Sequence, residues 1–230
     1  MKPMFRRLTR LVNALLLVLV SSTTGQLKAA PAMDPDVKAT EIVQSIRSSG
    51  LQPEIAAVLE LEASTNEDAS GDSLASAVIT AAEPRSFFGE DGAGGIFYVL
   101  GDGRILLIDS EGSAGVVAAS FEEFVGVATG LASWRDALKF VGDGDLASAR
   151  AEWEKSAAKW QIDQQINAPW PYDPGGFSTR TPGEAREAIR KHFNAPLLAD
   201  PFAVLHKAVH TLNGDVSVTW KGEQLRRFGR

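Results

Sequence analysis

Apolar positions along this chain change period twice. Val37, Ile42, Val43 and Ile46 recur at helical spacing ahead of Gly50, which predicts a helix over 37–47. Pro53, suited to a first helical turn, opens a second helix running through Ile55, Val58, Leu59 and Leu61. The polar stretch 66–72 reads as a loop, and Leu74 to Ala82 as a third short helical piece ended before Pro84. The period then shortens. Gly89 to Gly95 reads as a flexible acidic loop, Ile96 to Leu100 as a strand, and Asp102-Gly103 as a hairpin turn whose central positions need positive φ. Arg104 to Ile108 returns as the partner strand, Ser110 to Ser113 turns, and Gly115 to Ala118 forms a third strand. These strands are apolar runs without clean alternation, so the sheet is expected to be covered on both faces.

Helical spacing resumes at Ser120-Phe121-Glu122-Glu123, a capping box followed by the buried stripe Phe121, Phe124, Val125 and Ala128. Ser133-Trp134-Arg135-Asp136 offers a similar start for a helix reaching Phe140. Asp145 caps a helix carrying Leu146, Ala149, Trp153, Ala157 and Trp160. Residues 167–181 are rich in proline and glycine, a linker or structured loop. Thr181-Pro182-Gly183-Glu184 and Asp200-Pro201 start two further helices, and Val216 to Trp220 forms a late strand. The expected organisation is a leader over 1–32, an α+β domain over 33–165, and a proline-rich loop with a helical extension over 166–230 that packs on the same domain. The fold class is α+β: a small, mostly antiparallel sheet flanked by helices.

Residues 1–32 hold Lys2, Arg6, Arg7, Arg10 and Lys28 and no acid. A short apolar run from Leu11 to Val20 follows, then small polar residues and Ala30-Pro31-Ala32. That order describes a secretory signal peptide, with removal expected near Ala32 and an exported, periplasmic or secreted product. The apolar run is too short for a permanent membrane span. The alternative is a cytoplasmic protein that starts at Met33.

Composition narrows the chemistry. Among 230 residues, 44% are hydrophobic, 23% are charged and none is cysteine. Disulfides, thiolate metal sites and cysteine nucleophiles are excluded. Beyond the leader, 18 basic residues face 29 acidic ones, a formal −11. Such a body repels nucleic acid and anionic lipid and attracts cations or a basic protein, although solubility alone explains most acidic surfaces.

Glu90, Asp91, Asp109 and Glu111 gather on the loops at the strand ends. They are the candidate face for a partner, although turn-shaping accounts for acids at such places too. Trp170 and Tyr172, in the proline-rich segment where large aromatics are hard to bury, are the candidate aromatic contacts. His206 and His210 share one helix face, but Lys207 between them opposes a cation, and no metal or other cofactor is expected. Asp143, Asp145 and Glu154 echo a calcium loop only faintly, since Ser148 stands where its glycine belongs. The glycine-rich 89–95 stretch has no following Lys-Ser/Thr and precedes a strand, so it is no phosphate loop. Ser110 lacks the context of a hydrolase nucleophile.

The stretch from Phe88 to Phe140 carries FFGEDGAGGIFYVLGDGRILLIDSEGSAGVVAASFEEFVGVA, followed by SWRDALKF. Its Gly-rich turn, D-G hairpin, S-E-G turn, strand and capped SFEEF helix, in that order, resemble the SUKH superfamily, the Smi/Knr-like proteins. The GDGDL and DPFAVLHKAV segments resemble one bacterial branch of it. The likeness covers residues 70–160, and more loosely reaches 210. It implies an α+β binding fold without enzymatic chemistry, of the kind found in immunity proteins that bind and neutralise a toxin. It carries no catalytic residues. The competing expectation is an exported enzyme or ligand sensor, carbohydrate-active for example, that uses the acidic loops and aromatics.

Overall fold

The computed structural model describes residues 34–67, 73–142, 144–166, 168–170 and 178–229. In chain order the elements are α1 (Pro35–Ser48), α2 (Gln52–Val58), β1 (Glu62–Ala63), β2 (Val78–Thr80), β3 (Arg85–Glu90), β4 (Ile96–Leu100), β5 (Ile105–Ile108) and β6 (Ala114–Ala118). They continue with α3 (Phe121–Gly130), α4 (Trp134–Ala137), α5 (Leu146–Trp160), α6 (Ile162–Gln165), α7 (Pro182–His192), α8 (Pro201–Thr211), β7 (Ser217–Trp220) and β8 (Glu223–Gln224). The fold is α+β. A five-stranded antiparallel sheet, ordered β1-β3-β4-β5-β6, packs with helices, and β2, β7 and β8 form a small second sheet. No described helix is long and apolar enough to cross a membrane.

Every residue of β4, β5 and β6 is buried. Side chains alternate between two apolar layers, as the period of a strand requires. Phe88, Phe97, Val99, Ile105, Leu107 and Val117 face the layer built with α1, α2 and α3. Phe87, Ile96, Tyr98, Leu106, Ile108 and Val116 face the other, which Leu74, Ile79, Val216 and Val218 close. The second layer therefore depends on pairing β2 with β7, elements far apart in the chain, in the register Val78↔Thr219. Arg104 ties the small sheet's approach to the hairpin: its guanidinium forks onto Asp215 at 2.7 and 2.8 Å and reaches Asp102 at 2.6 Å.

The cap chemistry follows the sequence closely. Asp145 accepts the N–H groups of Ala147 and Ser148, and Asp200 accepts that of Ala203. Thr181 and Glu184 form a complete capping box. At Ser120 the hydroxyl accepts from Glu123 N–H, while the Glu123 carboxylate reaches one residue further back, to Ala119 N–H.

Several elements differ from the sequence expectation; α2, for one, ends at Val58 and does not reach Leu61. The stretch read as a third helical piece is one 3₁₀ turn, Ser73–Ser76, followed by strand β2, because Val78-Ile79-Thr80 is β-branched throughout and finds a partner in β7. Strand β3 precedes the expected Gly-rich loop and takes in its first two residues, Gly89 and Glu90; its register shifts between Phe87 and Gly89. Ser133 caps nothing with its side chain and sits in the left-handed region, so α4 is a single turn.

The chain's last described residues lock the sheet. Arg226 pairs with Ser113 beside β6, and Phe228 is buried in the larger layer. Next to it the backbone of Gly229 lies so close to Gly142 that a Cβ added at Gly142 would fall 1.5 Å from Gly229 carbonyl oxygen. Asn213 closes the open side of β6. Its Oδ1 accepts Val116 N–H at 2.7 Å, and its Nδ2 donates to Val116 C=O at 3.3 Å and Val209 C=O at 2.9 Å.

Two substitutions test this closure. Asn213→Ala leaves both Val116 backbone groups buried and unpaired, and is expected to cost about 2–4 kcal/mol from the usual penalty per orphaned group. Gly142→Ala is expected to cost about 1–3 kcal/mol as overpacking that displaces the 226–229 segment. Urea denaturation measures both, and parent-like midpoints would contradict the closure described.

Candidate functional site

One end of the large sheet opens into a cleft of about 260 Å³. The β5–β6 turn supplies Asp109, Ser110 and Glu111; the α4 region supplies Arg135, Asp136 and Lys139; the chain after α2 supplies Glu60; Phe228 and Gly229 form a wall. Two of the four acids expected to form a partner face, Asp109 and Glu111, thus line one cavity. Glu111 is exposed. Asp109 is half-buried, and its Oδ1 accepts N–H from Glu111 at 3.0 Å and Ser113 at 2.7 Å. Burial pushes its carboxyl upward from the ordinary aspartate value; the Ser113 bond and the Arg135 charge oppose part of that rise.

The other two acids lie elsewhere. Asp91 is buried behind the cleft, where its Oδ1 holds the 91–95 turn by accepting from Ala93 and Gly95 N–H, both at 2.8 Å. Its Oδ2 faces Arg135 Nη2 at 2.5 Å as an ion pair, off the hydrogen-bond axis. Asp91 therefore fixes the guanidinium that lines the cleft. Glu90, half-buried at the end of β3, stands opposite Glu62 of β1.

Glu60 is the residue that sequence reasoning missed. It follows α2 with φ at 52°, a left-handed position usually given to glycine or asparagine. It lines both this cleft and a second cavity of about 240 Å³ beside α2, α6 and α7. Burial pushes its carboxyl above the ordinary glutamate value; Arg135 and Arg186 counteract this, while Asp91 and Asp136 add to it. The signal available in the sequence was one acid inside the apolar run Val58-Leu59-Glu60-Leu61.

Trp170 lines the second cavity, half-buried, and its Nε1 donates to Arg180 C=O at 2.7 Å. Tyr172 lies outside the described residues. His206 and His210 do come together, with ring centroids 4.2 Å apart, and their Nε2 atoms bond Gly144 C=O and Val141 C=O. Those bonds tether α8 to Val141 and Gly144. Among the described residues no group of three or more His, Asp or Glu side chains is placed to hold a metal ion.

Four buried side-chain atoms lack a hydrogen-bond partner among the described residues: Asp91 Oδ2, Trp134 Nε1, Arg135 Nη1 and Arg186 Nε. Three belong to residues beside or within the two cavities, where native interiors place a water, an ion or a ligand atom. Protein-family models, curated proteins and solved structures were all compared with this chain, and none matches it.

The raised carboxyls of Glu60 and Asp109 have a calculable sign. Each binds its proton more tightly folded than unfolded, so the charged form weakens the fold above the folded value. That penalty disappears as pH falls toward the ordinary values of 4.5 and 3.8. Glu60→Gln and Asp109→Asn are therefore expected to raise Tm at pH 7 and to lose that advantage on acidification through this range. Thermal melts at pH 7 and pH 4 check it; an advantage that grew on acidification would reverse the assignment.

Proposed function

We propose that this chain is a non-enzymatic binding module of the SUKH type, whose acidic cleft receives a cationic surface of a protein partner and neutralises that partner by occlusion. A basic toxin is the partner class that the sequence resemblance implies. The observation that carries the reading is the convergence of Glu60, Asp109, Glu111 and Asp136 on one cleft at the loop end of the sheet. The cations there are already engaged: Arg135 faces Asp91, and Lys139 reaches Asp136 at 3.2 Å. Their engagement leaves Asp109 and Glu111 as the charge that an approaching partner meets. Acids so placed act mainly on encounter rate and partner choice.

A second reading has its own support. A half-buried carboxyl pushed upward in a cleft, as Asp109 is, suits proton transfer in an exported enzyme or sensor acting on carbohydrate. It requires that Asp109→Asn abolish turnover of a polysaccharide while the fold persists.

A photo-reactive amino acid placed at Ser110 distinguishes the two in cells. The binding reading expects one discrete protein adduct, weakened about tenfold by Glu111→Lys and by added salt, as rim charges act through steering. No adduct at any ionic strength, or polysaccharide turnover dependent on Asp109, would overturn it.

A further inference from the structure

The second cavity carries chemistry that the acidic cleft does not use. Its walls are apolar where Ala57, Val58, Ile166 and Trp170 meet, yet Glu60 and Arg186 both line it. Arg186 is held in place by Nη1, which donates to Ala128 C=O at 2.6 Å, while its buried Nε has no partner among the described residues. Glu60 and Arg186 attract one another across this space, and neither closes it by direct ion-pair contact. Two residues on its rim, Glu60 and Ser133, hold left-handed backbone at φ of 52° and 54° without being glycine. Strain of that kind persists where surrounding structure enforces it, and it clusters at ligand sites.

We propose that this cavity binds a small apolar α-amino acid as its zwitterion, with the ammonium on Glu60, the carboxylate on the part of the Arg186 guanidinium that lines the cavity, and the side chain against Val58, Ile166 and Trp170. The charges decide the class. A carboxylate alone would meet Glu60, an amine alone would meet Arg186, and only a ligand carrying both satisfies each. The apolar walls would gain nothing from water. At about 240 Å³ the cavity exceeds what one or two waters need and falls below the roughly 300 Å³ at which drug-sized sites begin. The proposal stands apart from protein binding at the cleft: Glu60 is shared, but Arg186 and Trp170 are not among the cleft's lining residues.

Isothermal titration of the full chain with L-leucine and L-phenylalanine tests it, with 3-methylbutylamine and 4-methylpentanoate as one-charge counterparts of leucine. The expected result is saturable binding of at least one amino acid and at least tenfold weaker binding of both counterparts. Glu60→Gln and Arg186→Lys should each weaken the amino acid at least tenfold. Because Arg186 also supports α3, Glu60→Gly serves as the second variant. It removes the carboxylate and relieves the left-handed backbone, so it should melt higher than the parent while losing the ligand. Glu111→Lys should leave amino-acid binding intact, which separates this site from the cleft. Absence of saturable heat with either amino acid, equal binding of the one-charge compounds, or affinity unchanged in Glu60→Gln would each overturn the proposal and leave the cavity to water.

Discussion

A sheet whose every central residue is apolar must be covered twice, and this requirement organises the rest of the chain. Residues in β4, β5 and β6 have no solvent face. Fully burying each such side chain is worth about 1.5–3 kcal/mol, so leaving either layer uncovered would forfeit many such terms. One layer is closed by α1 to α3 together with α7, α8 and Phe228. The other needs β2 from before the sheet and β7 from after it. Covering both faces therefore draws the chain's last segments against its middle. That is why Phe228 and Gly229 come to stand at the rim of a cleft whose acids come from far earlier in the chain.

The cleft's electrostatics follow from the same packing. Asp91 is buried because the 91–95 turn folds under the sheet end, and its Oδ1 is spent on backbone N–H groups. A buried carboxylate needs a counter-charge, and Arg135 supplies it from the single turn of α4. The guanidinium thus positioned partly offsets the burial cost at Asp109 and Glu60. Asp91 acts on the cleft through Arg135, while Asp109 and Glu111 reach it themselves. Acids adjacent in the sequence pattern divide into a scaffold for the site and the site itself.

Much of this was legible in the sequence, for physical reasons that can be named. The β4–β5–β6 meander announced itself because apolar runs were separated by Asp-Gly and Ser-Glu-Gly turns; of the two central positions expected to need positive φ, Gly103 adopts it, at 91°, and Asp102 does not. Asp109 and Glu111 were found because a turn between two buried strands has to surface at a sheet end. Strand β3 was hidden by Gly89 and the polar start Arg85-Ser86. Strand β2 was hidden by alanines on either side of Val78-Ile79-Thr80, which suggested a helix until a distant partner was available. Glu60 was out of reach. Its left-handed backbone has no glycine or asparagine to advertise it, and its neighbours Arg135 and Arg186 come from α4 and α7. Cavities assembled from elements so far apart leave no periodicity to read.

Asn213 has one more consequence, arising from the residue after it. Gly214 follows, and an asparagine before glycine is the pairing in which the next backbone nitrogen most easily attacks the side-chain carbonyl carbon, closing a succinimide and expelling ammonia. In the native chain the amide is buried, and bonds to Val116 and Val209 hold both of its polar atoms away from that reaction. Opening of the β6 edge releases them together. Ageing damage at this position is thus gated by the fold: a molecule that stays closed is spared, whereas one that lingers unfolded in the heat returns with an acid that can accept from Val116 N–H but can no longer donate to Val116 and Val209.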